Sequence, residues 1–390
     1  MNLFLYQYIM SLLLEVIYGG AGTGKTTRLI NDVKKLKSPS FIILSPTHSS
    51  LRNLINKLDI NTQSNARTLY SFFQIDYEND HVVGPLKIVK HIFIDEFGLI
   101  KKGLFKQILN KTSIQLHKFI DQNRIPEFSI VFHLYGDPCQ LSPIYTEKRY
   151  ISFKSLHRYN GTSSYVIEHD YNCLFSLKFI RDSHKELLKT NYRANDDVLQ
   201  LVKNIFYDVN LDAITYTSQL EVVRLIVNEG YVFISSKYEH HTSIYRLIQN
   251  MIIEKLTTDQ YKIINDLMFY PDSKFLVAET TNKYKNGEYV KLDHFTGNDA
   301  YLKTEDGVIF KYERSIKLLP EFLITAHKSQ GLTIPKIIVC TDDLFDISML
   351  YTMITRASQE VRFFSNLKPD LSEYVSKFRE ILMFYNYISV

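Results

Sequence analysis

The chain contains no tryptophan and only three cysteines among its 390 residues. Cys139, Cys173 and Cys340 lie far apart and form no C-x-x-C pair. Neither a disulfide framework nor a zinc site is therefore expected, and a reducing, intracellular compartment fits this usage. Internal repeats and low-complexity tails are also missing from the sequence.

A signal peptide or membrane span is not expected either. Residues 3–18 are apolar, but Gln7, Ser11 and Glu15 interrupt them and no basic segment precedes them. Such a stretch is too short and too polar to cross a bilayer. We interpret it as a core-facing helix followed by a buried strand, and we expect a soluble protein with no membrane partner.

Composition and length favour a globular protein of two or three domains. The chain is 45% hydrophobic, and its 27 tyrosines and 25 phenylalanines bring the aromatic content to 13%. The net charge is +4 with a pI near 8.6. This mild excess is compatible with a nucleic-acid partner but does not require one.

A phosphate-binding loop is the most specific feature of the sequence. Residues 19–26 match the pattern G-x-x-x-x-G-K-[ST], between a predicted strand at 15–18 and a predicted helix at 25–36. Glycines allow successive backbone N–H groups to point at phosphate oxygens, and the helix N-terminus adds partial positive charge. Lys25 then reaches the β- and γ-phosphates, and the Thr26 hydroxyl can ligate Mg²⁺. A glycine-rich turn that binds nothing is the alternative.

Two later apolar strands deliver polar groups at their carboxyl ends. The first, predicted at 88–94, ends in Asp95 and Glu96, a pattern in which the aspartate holds Mg²⁺ and the glutamate polarises water. The second, predicted at 129–135, leads to Gln140, which suits a sensor of the γ-phosphate. Read alone, that second segment is an ordinary Asp-Pro turn.

The C-terminal half predicts a second α/β unit that has no P-loop of its own. Short apolar runs predict buried parallel strands, and two Asn-Gly or Asp-Gly turns predict a small antiparallel β module at 286–319. The predicted strands of the α/β unit are 231–234, 275–278, 322–325, 336–340 and 360–364, and the last predicted helix is 371–384.

These motifs, in this order, resemble superfamily 1 helicases. Within them, Asp137-Pro138-Cys139-Gln140-Leu141 and His327-Lys328-Ser329-Gln330-Gly331 are similar to the RecD/Dda-like branch, which moves 5′ to 3′. Superfamily 1 helicases of RNA viruses share much of this pattern. The resemblance implies an α/β fold with two RecA-like parallel-sheet domains, at 1–187 and 188–390. It also implies a small β-hairpin insertion in the first domain and an SH3-like β insertion in the second.

The resemblance also implies roles for individual residues. It implies that Arg193 and Arg356 come from the second domain and act as arginine fingers on ATP held between the domains, although each could instead form a surface salt bridge. The implied catalytic residues are Lys25, Thr26, Asp95, Glu96, Gln140, Arg193 and Arg356, with Thr26 and Asp95 at the metal. The implied ATP-binding residues are Gly19, Gly20, Ala21, Gly22, Thr23, Gly24, Lys25, Thr26, Thr27 and Gly331. The implied nucleic-acid contacts are Pro46, Thr47, His48, Thr68, Phe72, His327, Lys328 and Ser329, each of which could equally be a cap, a turn or a core residue.

From these residues the sequence predicts an ATP- and Mg²⁺-dependent helicase or translocase acting on single-stranded nucleic acid, with DNA favoured over RNA. We expect a monomer that works with replication proteins in the cytoplasm or at host replication sites, and the AT-rich residue bias suits a phage or other viral source. The alternatives are a viral RNA helicase, a P-loop NTPase switch and an inactive scaffold. Residues 74–90 are either a strand-separating wedge or a plain surface hairpin. Relatives read adenine with a glutamine ahead of the P-loop, and here Gln7 is the only candidate.

Overall fold

The computed structural model describes residues 12–37, 40–76, 81–82, 89–124, 128–141, 143, 174–278, 288–342, 344, 347–385 and 387. Gln7, Cys173, the turn at 286–287 and most of the segment 144–187 lie outside these residues. The chain divides into two compact units, Met1–Arg193 with Tyr374–Val390, and Ala194–Glu373. Among the helices so described, none has the length and hydropathy that crossing a membrane requires.

The first unit is built on a six-stranded parallel sheet. Its order is β3-β2-β6-β7-β1-β8, so the strand before the P-loop is flanked by β7 and β8. Buried apolar residues run almost without interruption along the central strands, as expected where helices cover both faces of a sheet. The strands of this unit are β1 (Leu12–Gly19), β2 (Phe41–Ser45), β3 (Ala66–Thr68), β4 (Ile75–Asp76), β5 (His81–Val82), β6 (His91–Ile94), β7 (Ile130–Gly136) and β8 (His184–Leu188).

Polar residues at strand exits start the short helices of the first unit. The Thr47 side chain accepts a hydrogen bond from the Ser50 amide, and the Thr68 side chain accepts one from the Ser71 amide, so each caps the helix that follows it. The helices are α1 (Lys25–Val33), α2 (His48–Ile55), α3 (Ile60–Gln63), α4 (Leu69–Phe73), α5 (Lys102–Asn123) and α6 (Lys178–Arg181).

The core of the first unit places α1 against the sheet. Leu29 and Val33 of α1 are buried with Ile17 of β1 and Phe93 of β6 in one cluster. This packing fixes the P-loop, since the loop is the connection between β1 and α1. The strands β4 and β5 pair antiparallel, which fits the hairpin expected within 74–90; residues 77–80 and 83–88 are outside the described chain.

The second unit combines a parallel and an antiparallel sheet. The parallel sheet has the order β17-β9-β18-β19, and the antiparallel sheet has the order β15-β14-β13-β12-β16. The strands are β9 (Val232–Ser235), β10 (Lys262–Ile264), β11 (Leu267–Phe269), β12 (Lys274–Val277), β13 (Tyr289–Thr296), β14 (Asp299–Thr304), β15 (Ile309–Lys311), β16 (Leu318–Pro320), β17 (Leu323–Thr325), β18 (Ile334–Cys340) and β19 (Ala357–Phe364). The helices are α7 (Asp196–Val202), α8 (Gln219–Glu229), α9 (Glu239–Ile253), α10 (Ala326–Ser329), α11 (Ile347–Ile354) and α12 (Ser372–Phe384).

The antiparallel sheet has its own core, and this corrects one expectation. Residues 275–278 were expected in the second α/β sheet, but β12 pairs antiparallel with β13 and β16. Phe275 and Val277 are buried with Val290 and Leu302 in a cluster separate from the α/β core. The inserted module therefore begins before residue 286. Its strand β12 contributes buried apolar side chains to the core of the antiparallel sheet.

The expected domain boundary at 187/188 differs from the observed units in two ways. Strand β8 pairs in parallel with β1, so the chain up to Arg193 belongs to the first unit. The chain from Tyr374 onward also returns to the first unit, where Tyr387 stacks on Tyr18 and Tyr385 packs edge-on against Phe175. A boundary drawn along the sequence cannot detect this return, because it depends on contacts between distant aromatic rings.

Candidate nucleotide-binding site

The P-loop adopts a curled conformation that requires glycine at two positions. Gly22 and Gly24 have φ values of 81° and 83°, in the left-handed region that other residues rarely adopt. The Thr23 hydroxyl donates to the Gly20 carbonyl at 2.8 Å and closes the curve. Gly24 is the N-cap of α1, and no side chain caps that helix end. The free N–H groups at this terminus form an anion site, so this cradle fits a polyphosphate.

Lys25 lies inside the curve of the loop. Its Nζ donates to the Gly19 carbonyl at 2.7 Å and to the Gly20 carbonyl at 2.8 Å, and its side chain is buried. Burial lowers the pKa of Lys25, and the Asp137 carboxylate acts in the opposite direction. The loop therefore concentrates positive charge where a phosphate would sit.

The expected metal ligands meet although they are far apart in sequence. The Thr26 hydroxyl donates to Asp95 Oδ2 at 2.9 Å, and the Glu96 amide donates to Asp95 Oδ1 at 3.1 Å. Burial and the adjacent Glu96 carboxylate raise the pKa of Asp95 to about 6. A hydroxyl and a carboxylate are the hard oxygen donors that Mg²⁺ prefers, and the buried Asp95 beside the half-buried Glu96 favours a divalent cation. The residues present therefore fit Mg²⁺.

Gln140 is held by a carboxylate at the end of β7. Asp137 accepts hydrogen bonds from the Cys139 amide at 2.9 Å and from Gln140 Nε2 at 3.1 Å. Burial raises the pKa of Asp137, whereas Lys25 and the Cys139 amide oppose the rise. Gln140 is buried at the same sheet edge as Lys25 and Asp95, as its sequence position indicated.

The segment after β8 lies against the P-loop and corrects the expected origin of Arg193. Asn191 Nδ2 donates to the Ala21 carbonyl at 2.7 Å, and the Tyr192 amide donates to the Gly22 carbonyl at 2.8 Å. Arg193 is close enough to Lys25 for its charge to lower the pKa of that lysine. Arg193 thus belongs to the first unit, because β8 carries it to the P-loop edge of the same sheet.

The remaining expected site residues lie in the second unit. Arg356 follows α11 and is 1% exposed, with its Nε donating to the Thr352 carbonyl at 3.0 Å. Gly331 has a φ of 78° in the turn after α10. Gly331 lies in the loop after α10, and Arg356 lies in the loop after α11.

Several expected nucleic-acid contacts have local structural partners. The Thr47 and Thr68 side chains cap helices, and Phe72 is buried edge-on against Phe73. The Ser329 hydroxyl donates to the Ala326 carbonyl at 2.7 Å, and Lys328 Nζ donates to the Ala278 carbonyl at 3.0 Å. Thr47 is exposed, whereas Pro46, His48, His327 and Lys328 are half-buried. These residues lie at or shortly after the carboxyl ends of β2, β3 and β17.

A row of lysines on the inserted sheet was not found from the sequence. Lys274, Lys291 and Lys303 are direct cross-strand partners on β12, β13 and β14. Lys274 approaches Glu321 at 3.8 Å, whereas Lys291 and Lys303 form no ion pair with any described residue. Like charges directly opposite each other destabilise a sheet, so this face is suited to an anionic partner. Only strand register reveals the row.

A cluster of His240, Cys340 and Asp342 brings potential metal ligands together in the second unit. The Asp342 carboxylate accepts hydrogen bonds from the amides of Asn366 and Leu367 and from the Ser365 hydroxyl. These hydrogen bonds lower the pKa of Asp342 against the effect of its burial, and they fix the turn after β19. Asp342 therefore has a structural task, and we assign no metal to this cluster.

Comparisons with known proteins match the architecture of the chain. A protein-family model described as an AAA domain matches residues 8–146, the part that carries the P-loop, Asp95 and Gln140. The Pif1 helicase from Bacteroides in complex with ADP-AlF3 and ssDNA superposes with a TM-score of 0.58 at 16% identity, over 98% of this chain and 96% of that one. A search of curated protein sequences gave no match.

Two further solved structures show the same likeness. The Pif1 helicase from Candida albicans superposes with a TM-score of 0.55 at 15% identity, over 98% of this chain and 96% of that one. A structure of DNA unwinding at forked dsDNA by two coordinating Pif1 helicases gives 0.56 at 17% identity, over 96% and 94% of the two chains. The chain has the Pif1 helicase fold. The expected fold class, α/β with RecA-like domains and an inserted antiparallel sheet, is confirmed.

Proposed function

We propose that this protein is an ATP hydrolase that moves along single-stranded nucleic acid and separates duplexes, with DNA as the preferred substrate. The observation that carries the proposal is the hydrogen bond from Thr26 to Asp95 beside the buried Lys25. This contact joins the P-loop to the acidic strand end, as hydrolysis of a nucleoside triphosphate requires. The fold shared with Pif1 helicases supports the choice of nucleic acid as the partner.

The side chains of the first unit divide the chemistry among them. The N–H groups at the start of α1 and the Lys25 ammonium bind the phosphates, and Thr26 and Asp95 would hold Mg²⁺, which neutralises phosphate charge when bound. Glu96 takes the proton of the attacking water as general base. Gln140, oriented by Asp137, contacts the γ-phosphate or that water and so distinguishes the triphosphate from the diphosphate.

Arg193 and Arg356 are the proposed cationic groups on the transferred phosphoryl. Arg193 is supported by its place against the P-loop, within the electrostatic reach of Lys25. Arg356 is supported by the helicase resemblance, and its Nε donates to the Thr352 carbonyl at the end of α11. Each should stabilise the transition state more than the bound substrate, so Arg193→Ala and Arg356→Ala should lower kcat more than they raise KM.

Contact with the strand is proposed at two places. The strand-exit residues Pro46, Thr47, His48, Thr68, Phe72, His327, Lys328 and Ser329 supply small hydroxyls, backbone N–H groups and rings of the type that bind single strands. Lys291 and Lys303 supply charge for the phosphates. One of the Pif1 structures is described as in complex with ssDNA and another concerns DNA unwinding at forked dsDNA, which supports this class of partner.

Finer features of the activity are proposed by resemblance. They comprise movement from 5′ to 3′, a monomeric working form, a role beside replication proteins in a phage or viral setting, and a strand-separating function for residues 74–90. Selectivity for adenine depends on Gln7, which lies outside the described residues.

Parallel assays of hydrolysis and unwinding test the proposal. ATP hydrolysis should rise when single-stranded DNA is added, and a duplex with a 5′ tail should be unwound while one with a 3′ tail is not. Stimulation by RNA alone would indicate an RNA helicase. Hydrolysis that responds to neither nucleic acid would overturn the translocase and leave a P-loop switch, and absence of hydrolysis would leave a scaffold.

A further inference from the structure

The end of the described chain reaches the nucleotide-binding site. After α12, the Tyr387 amide donates to the Leu382 carbonyl at 2.8 Å, which turns the chain back toward β1. The Tyr387 ring then stacks on Tyr18, with ring centroids 6.3 Å apart and an interplanar angle of 15°. Tyr18 is the residue directly before the P-loop. This packing places the Tyr387 hydroxyl at the edge of the sheet where the P-loop and Asp137 lie.

That hydroxyl contacts a buried carboxylate of the site. Tyr387 Oη donates to Asp137 Oδ1 at 3.0 Å, although the two residues are 250 positions apart in sequence. Asp137 is 4% exposed and also accepts from the Cys139 amide and from Gln140 Nε2. A buried carboxylate is costly unless donors satisfy it. Burial raises the pKa of Asp137, and the Tyr387 hydroxyl belongs, with the Cys139 amide, to the donors that oppose this rise by stabilising the carboxylate.

The ionisation of Asp137 decides how Gln140 is oriented. An ionised carboxylate only accepts hydrogen bonds, so the NH₂ group of Gln140 must face it and the Gln140 carbonyl oxygen must point elsewhere. A protonated carboxyl can donate, and it would accept either orientation of the amide. A single amide orientation at Gln140 therefore requires a charged, fixed Asp137.

We propose that Tyr387 is a positioning residue for hydrolysis: its hydroxyl fixes the Asp137 carboxylate and, through it, the orientation of the Gln140 amide. This inference rests on the proposed hydrolase function, because the Gln140 amide matters only if it contacts the phosphate or the attacking water. Tyr387, which follows the last helix, would thus act on the nucleotide-binding site of the first unit.

Tyr387→Phe tests the inference, since it removes the hydroxyl and keeps the ring on Tyr18. We expect kcat for ATP to fall about tenfold, the effect of losing one hydrogen bond to a charged group, while KM for ATP changes less than about twofold. The lost donor also raises the pKa of Asp137, since the Tyr387 hydrogen bond lowers it. The acid limb of the kcat profile should therefore move to higher pH.

Tyr385→Phe is the matched control, because it removes a hydroxyl from the same segment while the Tyr385 ring keeps its packing on Phe175. We expect kcat and the pH profile of this variant to remain those of the wild type. A double-mutant cycle adds a second test: in an Asp137→Asn background, Tyr387→Phe should have no further effect on kcat.

The outcomes separate this inference from the proposed function. Wild-type kcat and an unmoved pH profile for Tyr387→Phe would overturn the positioning role, as would full additivity with Asp137→Asn. A lower melting temperature with unchanged kcat would show a purely structural contact and would also overturn it. A wild-type protein that does not hydrolyse ATP would instead refute the hydrolase function itself.

Discussion

Thr26 Oγ1 donates to Asp95 Oδ2 at 2.9 Å across 69 positions of sequence. Thr26 lies in the first turn of α1, which follows β1 through the P-loop, and Asp95 directly follows β6; β1 and β6 are separated in the sheet by β7. Parallel strands bring their carboxyl ends to one edge of the sheet. A hydroxyl beside the P-loop and a carboxylate from a distant strand can therefore bind the same bound group. This contact converts two separate sequence motifs into a single site.

Removal of the P-loop lysine should abolish hydrolysis. Lys25→Ala deletes the only ammonium that the described loop, residues 19–26, places inside its curve, so we expect the rate of ATP hydrolysis to fall at least about a hundredfold, as when a charged transition-state contact is lost. Phosphate release at saturating ATP measures this. Lys35→Ala is the control, since Lys35 lies just after the same helix, is exposed and pairs with Asp32. Retained hydrolysis by Lys25→Ala would contradict the assignment of the site.

Gly22 should tolerate no side chain. An added Cβ would lie 2.7 Å from the Arg193 Cβ and 2.7 Å from Asn191 Oδ1, at a φ of +81°. We expect Gly22→Ala to lower the free energy of unfolding by about 2 kcal/mol and to displace the segment 191–193 from the P-loop. Thermal unfolding and nucleotide affinity measure the two effects.

Gly103 provides the matched control in the same unit. It lies in α5, and an added Cβ would meet no atom within 4 Å. Gly103→Ala should therefore raise the free energy of unfolding by about 0.5–1 kcal/mol, because alanine loses less backbone entropy in a helix. Equal effects of the two substitutions would show that the space around Gly22 is not the constraint.

His241 should make the protein less stable in acid. Burial lowers the pKa of His241 to about 4, and its Nε2 is hydrogen-bonded with the Ser235 hydroxyl at 2.8 Å. Because the folded state resists protonation, the unfolded chain binds more protons between about pH 6.5 and pH 4, and stability falls as pH falls through that window. The difference of about 2.5 pKa units corresponds to about 3 kcal/mol. Denaturant unfolding at a series of pH values measures it.

A substitution at the same residue separates this effect from general acid denaturation. His241→Gln cannot titrate, so its free energy of unfolding should change by about 3 kcal/mol less over that window. An identical acid dependence for wild type and His241→Gln would contradict the assignment.

The lysine row should contribute to strand binding. Lys291→Glu with Lys303→Glu reverses two adjacent charges that no described carboxylate neutralises. We expect the concentration of single-stranded DNA for half-maximal stimulation of ATP hydrolysis to rise about tenfold, with the salt dependence of log K weaker by about 1.4, which is two phosphate contacts. Fluorescence anisotropy over a series of salt concentrations measures the slope.

Lys255→Glu serves as the control for that experiment, because Lys255 is an exposed lysine just after α9 whose Nζ donates to Asn228. It should leave both the affinity and the salt slope unchanged. A loss of affinity with an unchanged slope in the double variant would show that the lysines do not contact phosphates.

Much of the first unit was predictable because its signals are local. The P-loop needs glycines at fixed offsets, and a strand, a turn and a helix follow one another within about twenty residues of chain. Asp95 and Gln140 were predictable for a similar reason, since each follows an apolar run that reads as a buried strand. Helix bounds were also close to expectation, as in α12, where residues 371–384 were predicted and Ser372–Phe384 are observed.

Other expectations were wrong where long-range contacts decided the outcome. Arg193 was assigned to the second domain, and β8 instead pairs with β1 and brings it to the P-loop. Residues 275–278 look like any buried parallel strand, yet β12 joins an antiparallel sheet. Both errors have one cause: an apolar run shows that a strand is buried, and it does not show which strand it pairs with.

The sequence by itself determined the chemistry of the site, because a P-loop, an acidic strand end and a following glutamine carry their meaning in residue type and spacing. The tertiary structure alone decided which other residues contact those site residues. Asn191 donates to the P-loop, and Tyr387, far away in sequence, donates to Asp137. Lys291 lies opposite Lys303 because of the register of β13 and β14. These relations depend on strand order and on the return of the last helix to the first sheet, and such contacts leave no mark at fixed spacing in the sequence.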